Sequence, residues 1–169
     1  MTADSTQQQT SDGRAGAIAD PRLALLLEYW LELREGDLVP PRSAVDPSAL
    51  PADLRPLLPH FFLYEVIPLP VLDYRMRLAG SMLCATVGYE MRGKMFDEIH
   101  PLDQAAAIRR EFDEVVRSGR PHYAERSAQW LPDKELPYRR LLLPFADDGV
   151  TVDSLGGASV FALDQRPPF

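Results

Sequence analysis

Residues 71–103 read VLDYRMRLAGSMLCATVGYEMRGKMFDEIHPLD, and the hydrophobic period switches repeatedly along them. From Val71 to Ala79 the period is two: Leu72, Tyr74, Met76 and Leu78 share one side, and Asp73, Arg75 and Arg77 the other. That is the pattern of a half-buried antiparallel strand. Gly80-Ser81 ends the strand and caps a short helix, Met82 to Val87, which Gly88 stops. Tyr89 to Met95 is a short, Gly-broken segment, and Phe96 and Ile99 are expected to be buried. His100-Pro101 opens a longer helix on which Ala105, Ile108, Phe112 and Val115 recur at helical spacing, until Ser118-Gly119 ends it.

Upstream, residues 60–67 (HFFLYEVI) are aromatic and β-branched, which predicts a buried strand, and Pro68 and Pro70 mark a turn into the next. Downstream, residues 121–130, 135–145 and 152–162 read as three more strands, with a turn at Asp147-Asp148-Gly149. Gly156-Gly157 in the last strand predicts a bulge or a close backbone approach. Two strands, short helices, one long helix and three strands make an α+β chain. Short turns within each strand group make the sheet antiparallel, with the central helices over one face.

The flanks are of different kinds. Residues 1–19 lack periodicity and are expected to be a disordered tail. Residues 20–36 form an N-terminal helix, with Asp20 as its cap, Pro21 in its first turn and Gly36 as its stop. Its broad apolar face holds Leu23, Leu26, Leu27, Trp30 and Leu33. Residues 37–59 are a Pro-punctuated connector with one short turn at Asp46-Pro47, residues 60–163 the core domain, and 164–169 a tail.

A net charge of -7 works against nonspecific binding to nucleic acid or anionic lipid. No apolar run is long enough to span a bilayer. With a single cysteine, Cys84, and no signal-peptide pattern at the start, a cytoplasmic location is expected.

The order of elements and several local motifs resemble the PAS domain. Residues 74–81 (YRMRLAGS) resemble its second strand entering the first short helix. Gly88 to Lys94 resembles its Gly-x-x-x-x-Gly-Lys segment, and His100-Pro101-Leu102-Asp103 the start of its long helix. Arg117-Ser118-Gly119-Arg120-Pro121 is similar to that helix's exit. Trp30, Pro41-Arg42 and Asp46-Pro47 are similar to a bacterial, mostly alphaproteobacterial, PAS subfamily. The resemblance implies five antiparallel strands in the order 2-1-5-4-3, helices on one face, and an extra N-terminal helix. It also implies a sensory or regulatory role in signal transduction, carried by protein–protein interaction, with a small molecule enclosed between sheet and helices.

On that resemblance the ligand pocket is expected at Tyr74, Met76, Cys84, Arg92, Phe96, Phe112, Leu142 and Ser159. Cys84 lies in SMLCAT rather than in the NCRFLQ segment of a photoactive flavin domain, and His60, His100 and His122 are poorly placed as haem ligands, so no cofactor is expected. No Gly-x-Ser-x-Gly elbow or phosphate loop is present, and the carboxylates Asp147 and Asp148 read as turn residues, so no catalytic residue is assigned. The N-terminal helix, through Leu23, Leu26, Leu27, Trp30 and Leu33, is expected to pack partly on the sheet and partly across a homodimer interface. An unidentified regulatory protein is the other expected partner. The rival reading is a small α+β enzyme acting on a metabolite, which would require an essential Asp, Glu or His inside a polar pocket.

Overall fold

The computed structural model describes residues 18–100, 102–131 and 134–162. The expected tails lie outside them, apart from residues 18 and 19. Five strands form one antiparallel sheet: β1 (Phe61–Ile67), β2 (Asp73–Ala79), β3 (His122–Leu131), β4 (Lys134–Phe145) and β5 (Ser154–Phe161). Their order is β2-β1-β5-β4-β3, which brings the first and last strands side by side at the centre. Between β2 and β3 come α2 (Ser81–Val87), α3 (Phe96–Ile99) and α4 (Leu102–Ser118). Before them all stands α1 (Pro21–Leu33).

The central strands are covered on both faces, and β5 is buried at seven of its eight positions. On the inner face, Ile108, Phe112 and Val115 of α4 pack with Phe62, Tyr64, Tyr74 and Met76 of the sheet. On the outer face, Leu23, Leu26, Leu27 and Trp30 of α1 pack with Leu141, Leu143, Phe145 and Val160. The α1 cap is as the sequence predicts: Asp20 accepts hydrogen bonds from the backbone N–H groups of Arg22 at 2.8 Å and Leu23 at 3.4 Å. The Trp30 indole N–H donates to the Pro144 carbonyl at 2.9 Å, which fixes the helix to β4. The molecule therefore has three layers.

Gly88 ends α2 in a left-handed conformation, φ 86°. At Gly157 a close backbone approach is realised: an added Cβ would stand 1.8 Å from the Leu141 carbonyl oxygen on β4. No other residue fits there without moving a strand.

Two local expectations are corrected. Alternation puts Leu78 on the inner side with Tyr74 and Met76, but it is 44% exposed and pairs with Leu63 on the outer side. The cause is a register shift: Tyr64 pairs with Met76 and Leu63 with Leu78, so Arg77 is an extra residue that turns the end of β2 over. The connector is also more ordered than its prolines suggest. Ala52–His60 form a 3-10 helix that runs through Pro56 and Pro59 and takes in His60, so β1 begins one residue later than expected. Proline's fixed φ lies within the 3-10 range, so successive tight turns tolerate it where an α-helix does not.

Candidate functional site

Between the inner face of the sheet and α2–α4 lies a small cavity of about 40 Å³. Its apolar lining includes Met76 from β2, Leu83 and Val87 from α2, and Phe112 from α4. Its polar groups are Tyr64, His100, Tyr138, Arg140 and Ser159. The strands place these groups by alternation, since Tyr138, Arg140 and Leu142 are successive inward positions of β4 and Ser159 pairs with Arg140 across β5.

Aromatic rings frame the site. Phe112 meets Tyr64, Tyr74 and Phe96 edge to face at 5.1–5.2 Å between centroids. The Phe96 ring lies 4.2 Å from His100, and Arg109 sits over Phe96 at 4.3 Å while bridging Asp73 and Asp97. The Tyr64 hydroxyl is 3.3 Å from His100 Nε2. The Tyr74 hydroxyl donates to Asp113 at 2.5 Å.

Behind the polar groups, the Glu111 carboxylate takes Arg126 on one oxygen and Arg140 on the other. The Arg140 guanidinium also lies over the Phe112 ring, 5.4 Å from its centroid. Burial works against ionisation of Glu111, but the Arg140 and Arg126 charges outweigh it and hold the carboxyl below its ordinary range. Burial, reinforced by the Arg140 charge, pushes His100 down to about 3, so its imidazole is neutral at physiological pH. Burial raises Tyr64 and Tyr138, leaving both as neutral phenols.

Of the residues expected in the pocket, Met76, Phe112 and Ser159 line this cavity. Tyr74, Phe96 and Leu142 are fully buried in the same inner core but stand behind its wall. Cys84 is half-buried on α2, with its thiol 3.8 Å from the Glu90 carboxylate rather than in the cavity. Arg92 is exposed and does not line it. Sequence reasoning missed Tyr64, His100, Tyr138 and Arg140. An available signal was Arg140 itself, spaced at two from Tyr138 and Leu142 inside the apolar run of β4, where a charged residue on the inward side needs an explanation.

The residues expected at a dimer seam are largely taken up within the chain. Leu23, Leu26, Leu27 and Trp30 are each at most 4% exposed against the molecule's own sheet, and Leu33 borders an apolar cavity of about 120 Å³ beneath α1. A short helix has one broad apolar face, and the outer face of the sheet occupies it. Leu25 and Leu31 remain exposed on α1. No helix among the described residues is long and apolar enough to cross a membrane.

A family model described as PAS domain matches residues 19–160, from just before α1 into β5. No curated protein matches the sequence. Among solved structures, the N-terminal domain of a diguanylate cyclase with PAS/PAC sensor from Marinobacter aquaeolei is 14% identical, with TM-score 0.47 over 63% of this chain and 99% of that one. A fungal LOV domain photoreceptor is 15% identical, with TM-score 0.46 over 80% and 89%. The PAS domain of BvgS from Bordetella pertussis is 19% identical, with TM-score 0.40 over 63% and 78%.

Proposed function

The chain belongs to the PAS domain family, a family of sensory signal-transduction domains, and from that premise we propose that it is a regulatory module that binds a small molecule in the inner cavity and passes its state on by protein contact. The observation that carries the ligand half is the cavity itself. A buried arginine, a neutral histidine and tyrosine hydroxyls line an otherwise largely apolar space, the usual composition of a small-molecule site.

The protein-contact half is supported by an open groove of about 860 Å³ at the carboxyl ends of α1 and α4. Arg34, Arg117 and Arg120 line it beside the exposed Leu31, Leu38 and Val150. Asp37 also lines it and Arg117 pairs with Glu114, so Arg34 and Arg120 beside exposed apolar side chains are the groups that would meet an acidic protein surface. A second copy of this acidic chain is the first occupant to test, with a separate regulatory protein as the other. A homodimer built through α1 would use Leu25 and Leu31, not the buried Leu23–Trp30 stripe.

The single free thiol, Cys84, fits a reducing, cytoplasmic setting, and Trp30, Pro41-Arg42 and Asp46-Pro47 support the bacterial subfamily. Native mass spectrometry of the chain purified from its own host tests both halves at once. A bound small mass and a dimeric or partner-bound species are expected. A bare monomer at high micromolar concentration, in buffers free of competing solutes, would overturn the reading.

A further inference from the structure

The charge around the polar groups of the inner cavity is out of balance. Glu111 offers one carboxylate to two guanidiniums. All three side chains are shielded: Glu111 is 13% exposed, Arg126 16% and Arg140 4%. The other polar groups of the lining contribute no negative charge. Tyr64 and Tyr138 are neutral phenols, His100 is a neutral imidazole, and Ser159 brings a hydroxyl. The buried Nε–H of Arg140 has no hydrogen-bond partner among the described residues. A shielded cation with an unused donor raises the free energy of the fold until an anion meets it. A planar oxyanion suits a guanidinium best, because both present fixed, matching hydrogen-bond geometry.

Size narrows the class. A cavity of about 40 Å³, at about 10–15 Å³ for each water-sized occupant, holds on the order of three or four non-hydrogen atoms. The rest of the lining is mostly apolar, with Met76, Leu83 and Ile99 among it, which favours a methyl group over a second polar arm. Given that the cavity is a ligand site, as proposed above, we propose that it binds a monocarboxylate of formate or acetate size. Arg140 is the counter-charge, and Ser159 and the Tyr64–His100 pair are the neighbouring hydrogen-bonding groups.

The test is a titration of the full chain, labelled at its methionine methyls, with sodium acetate and separately with neutral, isosteric acetamide. Sodium gluconate, an anion too large for the space, holds the ionic strength. Met76 and Met91 line the cavity, and the more exposed Met82 is the reference. Acetate is expected to shift Met76 and Met91 saturably while leaving Met82 unmoved, with acetamide at least tenfold weaker. Equal binding of acetate and acetamide would overturn the anion assignment and leave the cavity a ligand site. No saturable shift from either would overturn the anion assignment and also remove support for the ligand-site reading.

Discussion

The outer face of the sheet meets α1 and the connector across an almost wholly apolar contact, tied by the Trp30 indole bond to the Pro144 carbonyl and by backbone bonds from Val39 to the Gly149 carbonyl and from Ala146 to the Pro40 carbonyl. The inner face meets α2–α4 across a contact that also holds two guanidiniums, a carboxylate, an imidazole and tyrosine hydroxyls. Both bury large aromatic side chains, so both stabilise the fold. The inner face bears the desolvation of Glu111, Arg126 and Arg140, more charge than the Asp20–Arg22 cap brings to the outer layer, and well-packed apolar residues of similar volume would often replace such groups at no loss of stability. Burial of apolar surface accounts for most of the outer layer, the cavity beneath α1 apart, but not for the shielded charges of the inner layer, and those charges are what the proposed binding role would explain.

The largest effects fall on the aromatic anchors. Trp30→Ala on the outer face and Phe112→Ala on the inner face are each expected to cost roughly 3–5 kcal/mol in a urea titration, since both are at most 1% exposed. A loss under about 1 kcal/mol for Trp30 would make α1 a removable lid rather than a structural layer. Next comes the charge cluster: Glu111→Gln keeps the shape but strands two shielded guanidiniums, with an expected cost of about 3 kcal/mol. Unchanged stability there would mean that Arg126 and Arg140 have another counter-charge, and the asymmetry between the faces would shrink.

A smaller effect is set by pH. His100 is held near 3 in the fold against an ordinary value of 6.5. The unfolded chain therefore binds the extra proton first, and stability falls as pH drops below about 6.5. Glu111, held below its ordinary 4.5, adds its own loss only at lower pH. Between about 6.5 and 4.5, His100→Asn should flatten the decline by about 1–2 kcal/mol. The remaining slope should belong to His122, which burial also depresses. A decline of unchanged steepness in the variant would place His100 in a wetter environment. The smallest effect is at Leu78, where Leu78→Thr is expected to cost about 0.5 kcal/mol. A loss above about 2 kcal/mol would put that side chain back in the inner core.

Leu78 also shows why part of the molecule was legible in the sequence and part was not. Period and punctuation carry the element order: the alternation at Tyr74 and Met76, the stop at Gly88, the spacing of Ile108, Phe112 and Val115, and the Asp20 cap all become structure as read. A bulge breaks alternation without leaving a mark in composition, so Arg77 displaced Leu78 unseen. The 3-10 helix through Pro56 and Pro59 was hidden because those residues usually end helices. The cavity was half legible. Met76, Phe112 and Ser159 follow from which face a strand or helix turns inward. The polar groups do not, because Tyr64, His100, Arg140 and Glu111 come from β1, the α3–α4 junction, β4 and α4, and only the fold brings them together.

The separation of the two faces can be measured in one experiment. Urea unfolding midpoints of wild type, Leu143→Ala on the outer face and Ser159→Val in the cavity would be compared with and without saturating sodium acetate. A ligand that binds only the folded state raises its stability by mass action. Leu143, 2% exposed against α1, should cost about 2–4 kcal/mol when truncated yet keep the wild-type gain on adding acetate. Ser159→Val should stay within about 1 kcal/mol of wild type without ligand and lose most of the acetate gain. A Ser159→Val chain that responds fully, or a Leu143→Ala chain that folds but no longer responds, would contradict the division of the sheet into a structural face and a binding face.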